Sequence, residues 1–249
     1  HIFDSIANLG YTEIICVHHE QAATMAMQTY FRVSGKVTAA IITAGGGSVN
    51  GITGVLSAWA DSIPGIVISG QENKRFIEKM KGMRMWGIQG FDSSGMVKEI
   101  TKFSTMVMDP KKALYELEKG YFISQDARPG PVWIDYPMDI QGSRIPIEDL
   151  KHFNIPKKKK VPSLNKEMNN IFDLISKAKR PVFWLGNGIR LSKAENLIED
   201  LLDKIPFPTL FSWAGIDMLD TDHPLNYGRP GVYGTRAANL VIQNSDLVI

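Results

Sequence analysis

Short, uniformly apolar runs alternate with amphipathic stretches along most of this chain. Residues 13–17 (EIICV), 38–43 (TAAIIT), 64–69 (PGIVIS) and 131–135 (PVWID) read as strands. Residues 20–33, 49–60 and 110–124 carry apolar positions at helical spacing. A strand that is apolar throughout is buried on both faces, and helices between such strands are the crossovers of a parallel sheet. The expected fold is therefore α/β, a parallel sheet with helices on both faces and right-handed connections.

Between residues 140 and 166 this pattern fails. Ile145-Pro146, Ile155-Pro156 and Val161-Pro162 flank a run of lysines at 157–160. Prolines at that density block both helix and central strand. With no aromatic or further basic residues interleaved, the lysines read as a solvated linker rather than a nucleic-acid patch. The expected organisation is a first domain over 1–145, a linker over 146–165, and a second, incomplete α/β domain over 166–249. In the latter, 166–177, 192–204 and 236–244 read as helices. Residues 181–185 (PVFWL), 208–211 and 247–249 read as strands, the first leading into Gly186-Asn187-Gly188.

Composition narrows the class. With 249 residues, 44% hydrophobic and 22% charged, the chain is neither disordered nor collagen-like. Lys plus Arg number 28 against 26 Asp plus Glu, which leaves no electrostatic case for nucleic acid. The single cysteine, Cys16, cannot form an internal disulfide, and no N-x-S/T acceptor occurs; both favour a reducing, cytoplasmic home. No apolar run approaches the roughly 20 residues needed to cross a bilayer. The sequence starts at His1 with no apolar leader and stops on an uncapped apolar run, Asp246-Leu247-Val248-Ile249. The expectation is a piece of something longer.

Two segments carry candidate chemistry. The first, 41–51 (IITAGGGSVNG), follows a strand and opens a helix, where unpaired backbone N–H groups favour anionic or polar ligand groups. It matches neither a P-loop nor a dinucleotide fingerprint, so a tight β-α turn capped by Ser48 or Asn50 stands beside a ligand loop. The second is Val17-His18-His19-Glu20-Gln21-Ala22-Ala23. Adjacent residues cannot converge on one zinc ion, and H-E-x-x-H is missing. Glu20 is then either a favourable carboxylate in a first helical turn or a ligand-facing group, because ligands of open α/β sheets bind beyond the carboxyl ends of strands.

Taken in order, these segments resemble a known family. His19-Glu20-Gln21-Ala22-Ala23, Gly35-Lys36, residues 43–51, Asp61-Ser62-Ile63-Pro64 and Ser69-Gly70-Gln71 resemble the N-terminal pyrimidine-binding domain of thiamine-diphosphate enzymes, acetolactate synthase type. Gly87-Ile88-Gln89-Gly90-Phe91-Asp92, Ile100-Thr101-Lys102, residues 127–132 and Asp135-Tyr136-Pro137 continue the match in register. Gly231-Val232-Tyr233-Gly234-Thr235 and residues 239–247 are similar to that family's central domain.

The resemblance implies a thiamine-diphosphate-binding fold and a lyase or transferase acting on a small 2-oxo acid, as carboligase or decarboxylase. It implies that Glu20 hydrogen-bonds N1′ of the cofactor's aminopyrimidine, favouring the tautomer whose 4′ nitrogen takes the thiazolium proton. Thr43, Gly46 and Asn50 match positions lining that ring. Gln89 matches a glutamine near the reacting carbonyl, where an amide orients an oxygen without adding charge; by residue type alone it is equally a solvated loop glutamine. Gly46 stands where the family commonly has proline, and Ile88 where synthases carry phenylalanine. Val232 replaces a methionine of the flavin-holding synthases, so no FAD is predicted.

Family members hold the diphosphate through Mg2+ on a G-D-G segment of a C-terminal domain, which is expected to be absent here because no Gly-Asp-Gly occurs. No metal ligand is therefore expected among these residues, and a second copy of the chain, in a homodimer or homotetramer, is expected to complete the site. Alone, these residues are expected to be inactive. The alternative is a non-catalytic nucleotide-binding or regulatory protein on the same scaffold.

Overall fold

A computed structural model describes residues 1–157 and 164–249. The chain divides into two compact units, His1–Lys157 and Lys158–Ile249. Most of the lysine run, and Val161-Pro162, lie outside the described residues.

The first unit runs α1 (Ile2–Leu9), α2 (Glu20–Ser34), β1 (Ala39–Ile42), α3 (Gly46–Ala60), β2 (Gly65–Gln71) and α4 (Lys74–Lys79). It continues through α5 (Ser93–Met96), β3 (Phe103–Met106), α6 (Ala113–Gln125), β4 (Pro131–Pro137) and α7 (Met138–Gln141). Its strands form one parallel four-stranded sheet in the order β1-β2-β4-β3. β4 is buried along its whole length, which explains why PVWID shows no alternation.

Successive residues of β4 point to opposite faces and root two separate cores. Trp133 packs with Met27 of α2, Val55 of α3, and Val67 and Val97. Ile134 packs with Val107, Tyr136 and Ile140, against Leu117 of α6. Helices thus cover both faces. Each fully buried Val or Ile stabilises the fold by about 1.5–3 kcal/mol.

Four expectations shift. Residues 13–17 form no strand; Ile15 is 78% exposed and Val17 43%. An apolar run becomes a strand only when another strand satisfies its backbone groups, and β1 closes that end of the sheet. The helix expected over 110–124 begins as a 3-10 turn, Pro110–Lys112, before α6. α3 opens at Gly46, earlier than residue 49. The strand β3, half-buried throughout, was not expected, because FSTM carries neither a β-branched run nor clear alternation.

After β4 the chain lies along α6. Phe153 N donates to Glu118 Oε2 at 2.8 Å, and the Phe153 ring packs edge-on to Tyr115, centroids 5.7 Å apart.

The second unit contains α8 (Asn165–Lys177), β5 (Pro181–Leu185), α9 (Gly188–Leu191), α10 (Ile198–Lys204), β6 (Thr209–Phe211), α11 (Arg236–Asn244) and β7 (Leu247–Val248). Its parallel sheet has the order β6-β5-β7. Val182 and Phe183 again face opposite cores, one against Leu210 and Ala238, the other against Ile198, Leu202 and Phe211. The helix expected over 192–204 is interrupted: Lys193 adopts φ 59°, a conformation that ends α9, and α10 begins only at Ile198.

Candidate active site

The chain enters α2 through His19, which is extended and whose Nδ1 accepts from Gln21 N at 3.2 Å. That cap makes Glu20 the first helical residue, where a carboxylate is favoured by the helix dipole. β1 ends at Ile42, and the turn through Gly45, at φ 71°, starts α3. Ser48 Oγ donates to Gly45 O at 2.7 Å and tightens the turn. Ser48 and Asn50 had both been candidates for the cap, and neither side chain caps the helix.

The two helices then approach unusually closely. A Cβ at Gly51 would lie 3.3 Å from Thr24 Cγ2, and one at Gly54 would lie 2.3 Å from Thr24 Oγ1. Thr24 Oγ1 uses the space to donate to Gly51 O at 3.0 Å. One turn earlier, a Cβ at Gly47 would lie 2.6 Å from Glu20 Oε1 and 2.3 Å from Thr43 Cγ2. Gly47, Gly51 and Gly54 stand at helical spacing i, i+4, i+7 and form the face of α3 that meets α2.

This contact brings Glu20, Thr43 and Asn50 together. Asn50 Nδ2 donates to Glu20 Oε2 at 3.2 Å. The Glu20 carboxyl is held below its usual range by its own backbone N–H first and by Asn50 second, against partial burial. It is an ionised hydrogen-bond acceptor at neutral pH. Being half-buried, it keeps a face accessible to a ligand N–H. Gly46 is exposed and a Cβ there would meet nothing within 4 Å. The position tolerates a side chain, and it is the first helical residue, where proline is well accommodated. The close approach belongs to Gly47 instead.

Beside this cluster is a cavity of about 640 Å³ at the carboxyl ends of β1 and β2. Its walls include Thr43, Ala44, Gly70, Gln71, Ile88 and Gln89. Gln89 lies on an exposed loop, and a Cβ at Gly45 would meet Gln89 O at 2.6 Å and its Cβ at 3.0 Å. The loop therefore packs directly on the Gly-rich turn. Thr43 belongs both to the cavity wall and to the Glu20 cluster.

Sequence reasoning missed the supports of that loop. Gln71 Nε2 donates to Phe91 O at 2.8 Å, and Glu72 Oε1 accepts from Ile88 N at 3.0 Å and Gln89 N at 3.2 Å. Asp135, fully buried, accepts from Ser93 Oγ and Trp133 Nε1, each at 2.7 Å, and from Ser94 N at 3.1 Å. Burial pushes its carboxyl up to about 6, with those hydrogen bonds opposing. Asp135 and Gln71 stand in the sequence only as parts of the family-like pattern, and no local signal marks Glu72 as a support of the loop.

Two family models match the sequence. Residues 1–96 match the thiamine pyrophosphate enzyme N-terminal TPP binding domain, and residues 168–249 match the thiamine pyrophosphate enzyme central domain. The chain belongs to the thiamine pyrophosphate enzyme family. It is similar over its whole length to the acetolactate synthase large subunit of Lactococcus lactis, at 28% identity, and to the isozyme 2 large subunit of Escherichia coli, at 30%. Over 99% of the chain it is 31% identical to the acetolactate synthase large subunit of Buchnera aphidicola. The chain spans 42% of the first of these relatives and 43% of the other two. The matched N-terminal TPP binding segment contains the Glu20 cluster and Gln89. Among the described residues, no helix is long and apolar enough to cross a membrane.

Proposed function

We propose that this chain supplies the aminopyrimidine-binding side of a thiamine-diphosphate-dependent 2-oxo-acid carboligase or decarboxylase of the acetolactate synthase type. The observation that carries the reading is the Glu20 carboxylate, ionised and aimed by Asn50 into space that Gly47 leaves open. The residues present fit the cofactor: an aminopyrimidine offers a ring N–H to an acceptor and a flat face to glycine backbone. When bound, thiamine diphosphate supplies the electron sink that lets a 2-oxo acid lose its carboxylate or join a second carbonyl.

The chain's own residues do the positioning. Glu20 accepts a hydrogen bond at N1′ and so holds the proton there. Asn50 fixes the carboxylate so that no reorganisation is needed during reaction. Thr43 and the first turn of α3, from Gly46, line the ring. Gln89, packed on Gly45, orients a substrate oxygen through a neutral amide. The diphosphate and its Mg2+ are assigned to residues other than these, carried by a partner subunit in a dimer or tetramer.

The reading is tested by Glu20→Gln and Glu20→Ala in the full-length protein, assayed with thiamine diphosphate, Mg2+ and a panel of 2-oxo acids. Each variant should lose turnover by at least about 100-fold, the scale of one misplaced preorganised group. Undiminished cofactor-dependent turnover would remove Glu20 from the reaction.

A further inference from the structure

Glu72 directly follows β2, is half-buried, and has no part in the reading above. Its Oε1 accepts from two successive backbone groups, Ile88 N at 3.0 Å and Gln89 N at 3.2 Å. Consecutive N–H groups converging on one oxygen form an anion-binding nest, here filled by a side chain of the same chain.

The loop is shaped around that side chain. Gly87 adopts φ 58°, and a Cβ on it would lie 2.6 Å from Glu72 Cδ. A Cβ on Gly90 would lie 2.5 Å from Glu72 Cγ. Trp86 and Gly90 close the turn by exchanging backbone hydrogen bonds, Trp86 N to Gly90 O at 2.7 Å and Gly90 N to Trp86 O at 2.9 Å. Gln89 is thus held from one side by Glu72, while the Gly-rich turn meets it at Gly45 on the other. Gln71 Oε1 accepts from Glu72 N at 3.0 Å and fixes the base of the Glu72 side chain.

We propose that Glu72 is a positioning residue, whose carboxylate clamps the Gly87–Gly90 turn and sets where Gln89 projects into the cavity. The proposal rests on the reading that Gln89 meets the substrate. Both carboxylate bonds are to backbone, so the clamp sets the loop's place whatever side chains it carries. Glu72 shares the cavity wall with Gln89, and the paired N–H groups offset its negative charge there.

Two variants of the full-length protein test it. Glu72→Ala removes the acceptor, whereas Glu72→Gln retains an oxygen at the same reach. Amide hydrogen exchange is read without cofactor across 86–91. Exchange at Ile88 and Gln89 should quicken about tenfold or more in Glu72→Ala, the scale of a bond to a charged acceptor. It should stay near wild type in Glu72→Gln, with β4 unchanged in both. Turnover with a 2-oxo acid should fall about tenfold in kcat for Glu72→Ala, with the KM for thiamine diphosphate held and Glu72→Gln rescuing.

Unchanged exchange in Glu72→Ala overturns the clamp. Quickened exchange with unchanged kcat overturns the positioning role toward Gln89. A wild-type protein that binds no thiamine diphosphate overturns the functional reading instead, and leaves the exchange result standing.

Discussion

Asn50 donates its side-chain amide to the Glu20 carboxylate at 3.2 Å, although the two lie thirty positions apart in sequence. The pair exists because α2 and α3 touch through glycine, and after the Glu20 backbone N–H it does most to keep ionised the group on which the proposed chemistry turns. A folded carboxyl held below its usual range is ionised throughout the neutral region. Its stabilising contribution is present above the ordinary carboxylate range and is lost as pH falls through the lowered value.

Removing the donor should therefore move Glu20 upward. In Asn50→Ala the acid limb of the cofactor-dependent pH–rate profile should shift to higher pH. Asn50→Asp should shift it further, because two neighbouring carboxylates repel. The backbone N–H of Glu20 persists in both, so part of the depression survives. Superimposable acid limbs in all three proteins would show that Glu20 does not govern that limb.

Gly47 separates folding from the site. An added Cβ would crowd Glu20 Oε1 and Thr43 Cγ2, both side-chain tips able to swing away. Alanine inside a helix also gains about 1 kcal/mol over glycine. Gly47→Ala should keep its melting temperature yet bind thiamine diphosphate at least about tenfold more weakly, since the carboxylate is the tip that moves. Equal affinity by calorimetric titration would contradict this.

At Gly54 the balance reverses. The added Cβ would lie 2.8 Å from Met25 N and 2.7 Å from Thr24 Cβ, so backbone must move. Overpacking of this kind costs about 1–3 kcal/mol, against about 1 kcal/mol of helix propensity gained. Gly54→Ala should be destabilised in urea unfolding, and a stabilised variant would show that the helices part freely.

Asp135 gives a stability signal of opposite sign to Glu20. Its folded value, about 6, lies above that of an unfolded aspartate, so folding takes up a proton between about pH 4 and 6. Its contribution is fully present at the acid end and is lost as pH rises through about 6. Comparing wild type with Asp135→Asn by urea unfolding isolates this group. Wild type should lose up to about 3 kcal/mol relative to the variant from about pH 4 to 7. A difference that does not vary with pH would refute the assignment.

Much of the architecture was legible because burial on both faces writes itself into composition. PVWID, PGIVIS and PVFWL gave three strands, and residues 236–244 gave α11. The residues 13–17 misled for the same reason in reverse: EIICV is apolar, but its ladder partner is not written in it. The half-buried edge strand β3 carried too weak a pattern to read.

The chemistry divides along the same line. Sequence alone determined the parallel α/β character, the placing of Glu20 at a helix start and of the Gly-rich segment at a strand-to-helix junction, and, through resemblance, the family. Local periodicity and turn chemistry suffice for that, since each depends on neighbours within a few positions. Only the tertiary structure decided that Glu20 meets Asn50, that Gly47 rather than Gly46 makes the close approach, and that Glu72 holds the Gln89 turn. Those contacts join residues on separate elements. Their physical cause is the distance between packed backbones, which glycine sets and which no local pattern encodes.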